Sequence, residues 1–182
     1  NELQVDETVL TTDATVDLSG AFTVTDAGAD GQQSLVYSLV GAVDGTDSGV
    51  NLTDGTSVFI YTDGADVVGL VGNANGTANA SGDVAFRISV DNTSGNEGKV
   101  TLDQVLALEH PTGGTSHDEE VSLTAGSVSL KAVLTDGDDD TDSETVDLSA
   151  AVSFKDDGPL IGGASNLVLA NVSNSSLSGS VE

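Results

Sequence analysis

Short apolar runs rich in β-branched and aromatic residues alternate along this chain with Asp-Gly, Asn-Gly and Ser-Gly pairs, which recur roughly every ten residues. Glycine occurs 22 times and proline twice, so chain reversals rest on glycine-containing turns. The runs fall at residues 20–25, 34–39, 57–62, 67–71, 84–90, 99–102, 121–123, 127–134 and 145–154. Strands this short and this evenly punctuated predict an antiparallel sandwich or barrel. We read the chain as all-β: an antiparallel β-sandwich of Ig-like or Greek-key type.

One segment departs from that rhythm. In LDQVLALE, residues 102–109, Leu102, Val105, Leu106 and Glu109 fall at helical spacing and Pro111 follows as a stop, so a short helical turn is expected there. The segment TVDLSGA at 15–21 returns almost unchanged as TVDLSAA at 145–151. Two copies do not make a solenoid, so they are expected to be two similar strands of one sandwich. After Pro159 the character changes: residues 160–182 contain no aromatic and no basic residue. The expected boundary is therefore the Asp156-Asp157-Gly158-Pro159 turn. It separates a module at 1–159 from a linker or first strand of a following module at 160–182, with 166–172 as the candidate strand. The chain opens on Asn1, no positively charged signal segment leads it, and it reads as a piece of something longer.

Charge narrows the partners. Acidic residues outnumber basic ones 30 to 4, for a formal charge of −26. Such a surface repels nucleic acid and anionic membranes and favours cations. The apolar content of 37% argues that most of the length folds rather than remaining disordered. There is no cysteine, which removes disulfides and thiolate metal sites. No apolar run approaches the ~20 residues that span a bilayer, so direct membrane insertion is not expected.

The densest charge is TDGDDDTDSE at 135–144, with six acidic residues in ten. At about 4 Å and an effective dielectric near 20, each pair of like charges costs about 4 kcal/mol. Either the carboxylates splay into water or a cation holds them. Asp136, Asp138, Asp140 and Asp142 alternate, with Gly137 available for a bend, and six to eight hard oxygens are what Ca²⁺ takes. The calcium-loop pattern is met at Asp136, Asp138 and Asp140, but Thr141 replaces its glycine and Asp147 its final glutamate, so this is no EF-hand. Further candidate calcium ligands are Asp156 and Asp157 in the boundary turn, Asp6 and Glu7 near the start, and Asp26 and Asp30 in DAGADG; any of these is equally at home as a plain turn residue.

Catalytic signatures are sparse and no catalytic residue is assigned. His110 and His117 read as structural or exposed, no Gly-x-Ser-x-Gly elbow occurs, and GNANG at 72–76 lacks the lysine of a phosphate loop. The chain is not expected to be an enzyme. All six aromatics (Phe22, Tyr37, Phe59, Tyr61, Phe86 and Phe154) lie in strand-like runs and are expected in the core.

Taken in order, LQVDET, SGAFT, GADG, LVYSL, VTLDQVLALEHP, SVSLKAVLTDGDDD and FKDDGP resemble the large repeat modules of giant RTX adhesins, which Gram-negative bacteria export by type I secretion. The resemblance runs over residues 3–159. It implies a secreted, cell-surface location in a biofilm or surface adhesin, and a calcium-rigidified β-sandwich that spaces or supports ligand-binding domains. Its partners are then neighbouring modules of the same adhesin and, through an adjacent domain, a surface glycan or peptide. The same resemblance implicates the acidic loop from Asp136 to Asp142 with Asp156 and Asp157, and gives Asp103, Gln104, His110 and Pro111 a structural role. The glycine-rich nonapeptide repeats of that family are absent, so a β-roll is not implied. The alternative expectation is a Ca²⁺-dependent carbohydrate- or peptide-binding domain.

Overall fold

The computed structural model describes residues 2–112 and 118–158; the expectations for 159–182 and for His117 lie outside the described residues. Among the described residues twelve strands form three sheets. Six of them, β2 (Ala14–Asp17), β4 (Thr46–Asn51), β5 (Ser57–Asp63), β6 (Asp66–Val71), β7 (Val84–Asp91) and β8 (Lys99–Gln104), make one antiparallel sheet in the order β2-β8-β7-β6-β5-β4. The second sheet is β11-β10-β3, from β3 (Gln32–Gly41), β10 (Val128–Asp136) and β11 (Thr141–Asp147), also antiparallel. The third is β1-β12-β9, from β1 (Leu3–Asp6), β9 (Glu120–Ser122) and β12 (Val152–Lys155).

Strand β3 packs across onto β5, β6 and β7, and β1 packs onto β2 and β8, which gives the two layers of a β-sandwich. Alternation explains why: Val128, Leu130 and Ala132 of β10 are buried while Ser129 and Lys131 between them are partly exposed. The layers meet at Phe86 of β7 and Phe154 of β12, both fully buried, with ring centroids 5.3 Å apart and planes tilted by 49°. Of the aromatics expected in the core, Phe22 lies outside any strand, partly buried and 5.8 Å from the Tyr37 ring, and Tyr61 of β5 is half-buried outside the core cluster.

The helical turn expected at 102–109 does not form. Leu102 is in β8, in register with Ala14 on one side and Ile88 on the other. Beyond Gln104 the backbone is taken up by other strands: Val105 and Leu106 N–H groups both donate to Ala85 O (2.8 and 3.1 Å), Leu108 bridges Leu52, and Glu109 N–H donates to Asn51 O. Every other residue of β8 is buried, so a period of two wins over the apparent helical spacing.

Two expected strands turn out differently. Residues 20–25 form no strand, since β2 ends at Asp17 and a 3-10 turn, Ser19–Ala21, follows it, and 145–154 is broken between β11 and β12 by a 3-10 turn at Ser149–Ala151. These are the two copies of the near-repeat, and they share one local device. The Asp17 carboxylate accepts from Ser19 N–H (3.0 Å) and Oγ–H (2.6 Å); Asp147 does the same with Ser149 (2.9 and 2.6 Å). Leu18 and Leu148 are buried at the bend. The copies differ in one respect that can be tested. Ser149 is fully buried and its Oγ also accepts from Val128 N–H (3.1 Å). Ser149→Ala orphans that donor and is expected to cost about 1–3 kcal/mol, against less than about 1 kcal/mol for Ser19→Ala. Urea midpoints of the two variants read the difference; equal losses would contradict it.

Hydrogen bonding by the Ser149 side chain holds the Asp147 carboxyl below its ordinary value, aided by the Ser149 and Gly126 amides. A lowered folded pKa stabilises the protein above the unfolded value of ~3.9, and the contribution vanishes as pH falls through the folded value. The stability gap between the wild type and Asp147→Asn should thus be widest near pH 7 and narrow as pH falls below the unfolded value of ~3.9. Urea midpoints in chelator across that range measure it, and a pH-independent gap would refute the assignment.

Candidate metal centre

Two loops meet at the end of the β11-β10-β3 sheet. The first, DAGADG at 26–31, precedes β3; Asp26 Oδ1 accepts from Gly28 N–H (3.0 Å), and Gly28 and Gly31 take φ of +78° and +79°. The second is the β10–β11 reversal. Asp136 N–H donates to Asp140 O (3.0 Å), Asp140 N–H donates to Asp136 Oδ1 (2.9 Å), and Asp139 takes φ +74°. Asp139 Oδ1 also accepts from Gln33 Nε2 (3.1 Å), which ties the reversal to the base of β3.

This arrangement brings Asp30, Asp136 and Asp138 together, one carboxylate oxygen of each within 4.8 Å of the others. Two glycines permit the approach. A Cβ on Gly28 would lie 3.1 Å from Asp136 Oδ2 and 3.2 Å from Asp30 Oδ1, and one on Gly137 would lie 2.9 Å from Asp30 O. Among the described residues no ion pair reaches the three carboxylates: Arg87 pairs with Asp63 and Asp66 (2.8 Å each) and Lys155 with Asp118 (3.0 Å). The donor set is entirely oxygen, and three carboxylates offer up to six atoms, which fits a hard cation such as Ca²⁺ with its ~6–8 oxygens. A transition ion that prefers nitrogen or sulfur fits it poorly.

The other sequence candidates are distributed differently. Asp26, Asp140 and Asp142 line a cavity of about 160 Å³ beside the trio, together with Asp136 and Leu134, but are not among the three grouped carboxylates. Asp142 accepts from the Ser143 N–H (2.9 Å) in β11. A strict alternation of four converging aspartates therefore does not occur, because the reversal lies between Asp136 and Thr141 and β11 starts before Asp142. Asp6 caps the 3-10 turn Glu7–Val9 through Thr8 N–H (2.9 Å), and those bonds from Thr8 lower its pKa. Asp157 is exposed.

Glu7 and Asp156 come together at another edge, and with them His110: ligand atoms of the three lie within 4.8 Å of one another. His110 was read as structural or exposed and not as a ligand, because nothing local marks it. It lies 103 positions from Glu7, and the segment after β8 brings it there, held by the Gln104 and Leu108 bonds to the Glu7 carboxylate.

A groove of about 340 Å³ runs between residues 21–26 and strands β10 and β11, lined by Phe22, Leu35, Leu134 and Val146 with Asp26, Asp142 and Glu144 at its polar side. It adjoins the acidic loops. No curated protein and no solved structure matches the chain. A family model does match, over residues 2–149, which takes in both ligand groups except Asp156. On that match the chain belongs to the family described as a domain of unknown function, DUF5801.

Proposed function

We propose that this chain is a non-enzymatic, extracellular module of a bacterial adhesin, a β-sandwich rigidified by Ca²⁺ that spaces or supports neighbouring ligand-binding domains. The observation that carries this reading is the convergence of Asp30, Asp136 and Asp138 from two loops, with glycines at the points of closest approach and no cationic side chain to neutralise them. Uncompensated, such a group loosens the loops; a divalent ion crosslinks them and stabilises the fold by mass action. Sites of extracellular modules with dissociation constants of about 10⁻⁴ to 10⁻³ M fill outside a cell and stay mostly empty inside. Such a module is looser before export and firmer afterwards.

The test separates ligand from bystander. Asp138→Asn is expected to weaken calcium binding at least about tenfold and to lower the melting temperature in calcium, with little change in chelator, while Asp157→Asn, exposed and outside the trio, changes neither. Equal losses for Asp138→Asn with and without calcium would overturn the assignment.

The groove beside the site favours a second reading, a Ca²⁺-dependent carbohydrate- or peptide-binding domain, since Phe22 and the apolar residues near it supply the surface on which a sugar or peptide packs. On that reading a glycan or peptide array gives hits that chelator abolishes and Phe22→Ala reduces; the spacer reading gives none.

A further inference from the structure

Strands β1 and β12 run parallel with Asp6 opposite Lys155, so Glu7 and Asp156, the next residue of each, emerge at the same edge of the sandwich. The segment after β8 crosses there and presents His110. Its hydrogen bonding is lopsided. Gln104 Nε2 and Leu108 N–H donate to Glu7 Oε1 at 2.6 and 2.8 Å, and His110 Nε2 lies 3.4 Å from the same oxygen, while Glu7 Oε2 receives no donor. The Glu7 and His110 side chains are 5% and 3% exposed. Among the described residues His110 Nδ1 has no hydrogen-bond partner, and neither does Oε1 of Gln104, a residue 2% exposed.

The ring nitrogen that faces Glu7 is Nε2, and in the tautomer protonated at Nδ1 it aims a lone pair into the space beside the Glu7 carboxylate. Oε1 of Gln104 lacks a donor in the same buried shell and, among the described residues, no lysine or arginine pairs with Glu7, an arrangement that disfavours the fold unless something electron-poor occupies the space. We propose that Glu7, His110 and Asp156 hold a divalent transition ion of the zinc class, at a site separate from the all-oxygen calcium trio. One imidazole nitrogen and two carboxylates are a donor set that zinc takes, with a fourth position open to water, whereas calcium selects oxygen. Ligand atoms about 2.0–2.1 Å from a tetrahedral ion lie roughly 3.3 Å apart, so the side chains close by about 1.5 Å at most. The bound ion pins the turn after β1, the end of β12 and the segment after β8 to one another, and so clasps the first and last described strands.

The full chain, stripped of metal and kept in excess calcium to fill the oxygen trio, is titrated with Zn²⁺ alone by calorimetry and with Co²⁺ alone by visible absorption. One zinc equivalent is expected, with affinity lowered at least about tenfold in both His110→Gln and Asp156→Asn and unaltered in Asp138→Asn. Asp156 makes none of the side-chain hydrogen bonds within the cluster, so Asp156→Asn keeps the result readable should His110→Gln fail to fold. Cobalt is expected to give the intense ligand-field bands of a four-coordinate site in the wild type and weak ones in the variants. Equal zinc affinity in the wild type and Asp156→Asn, weak cobalt bands throughout, or a crystal soaked in zinc showing an ordered water only against His110 would each overturn the proposal. The calcium reading fails separately, through Asp138→Asn, and its loss leaves zinc binding by this trio intact.

Discussion

Phe86→Ala is expected to lower stability by about 3–5 kcal/mol, the largest loss of any single truncation in this fold. Phe86 is fully buried, lies against Phe154 from the other layer, and covers Gly69 of the neighbouring strand, with which it is paired in register. Truncation empties the space where the two layers lock together. For a chain of this size the loss corresponds to a fall in melting temperature of roughly 10 °C or more. The partner glycine should be nearly as sensitive for the opposite reason, since a Cβ on Gly69 would overlap the Phe86 ring. Gly69→Ala is therefore expected to be strongly destabilising alone and partly rescued when Phe86 is shortened to leucine, a non-additivity that a double-mutant cycle measures directly. Denaturant titrations of the wild type, Phe86→Ala and the three variants of the Gly69→Ala/Phe86→Leu cycle in saturating calcium provide the check. A loss below about 1 kcal/mol for Phe86→Ala would mean that the layers do not meet at this residue.

Calcium is expected to raise stability by about 2.7 kcal/mol at 100 times its dissociation constant and about 4.1 kcal/mol at 1,000 times. The melting temperature should rise by roughly 5–15 °C and return when chelator is added. The control matters because a net charge of −26 is itself screened by any salt. Sodium chloride matched in ionic strength should reproduce only a small part of the rise, and Asp138→Asn should keep that part while losing the rest. If sodium chloride matched calcium in full, the effect would be general screening of an acidic surface and the site assignment would fall. Bound carboxylates must be ionised, so the calcium-dependent increment should shrink as the solution is acidified.

Much of the fold was legible because its signals are local. The runs that became β5 and β6 are buried at consecutive positions, those that became β8 and β10 bury every second residue, and the glycine-containing pairs between runs mark reversals. Strand β4 (TDSGVN) was not legible, since its polar composition hides a pairing that β5 imposes. The near-repeat was visible as letters, but its meaning was not: an aspartate followed two residues later by serine makes a bonded 3-10 bend, and so interrupts what reads as continuous strand. At 102–109 leucines three and four apart imitated a helix because a strand followed by a bridging segment buries Leu102, Gln104 and Leu108 by other means.

An all-β architecture and a large excess of negative charge follow from the chain alone, because turn propensity, side-chain alternation and net charge are properties of short windows and of simple sums. Which carboxylates share a site is a different kind of fact. Asp30 joins Asp136 and Asp138 only because β3 pairs with β10; Glu7 meets Asp156 only because β1 runs parallel to β12, and meets His110 only because the segment after β8 bonds to its carboxylate. Those pairings span most of the chain and are selected by burial of the shared core, so no window of sequence contains them; the tertiary structure alone decided which acidic residues face one another and which remain in water.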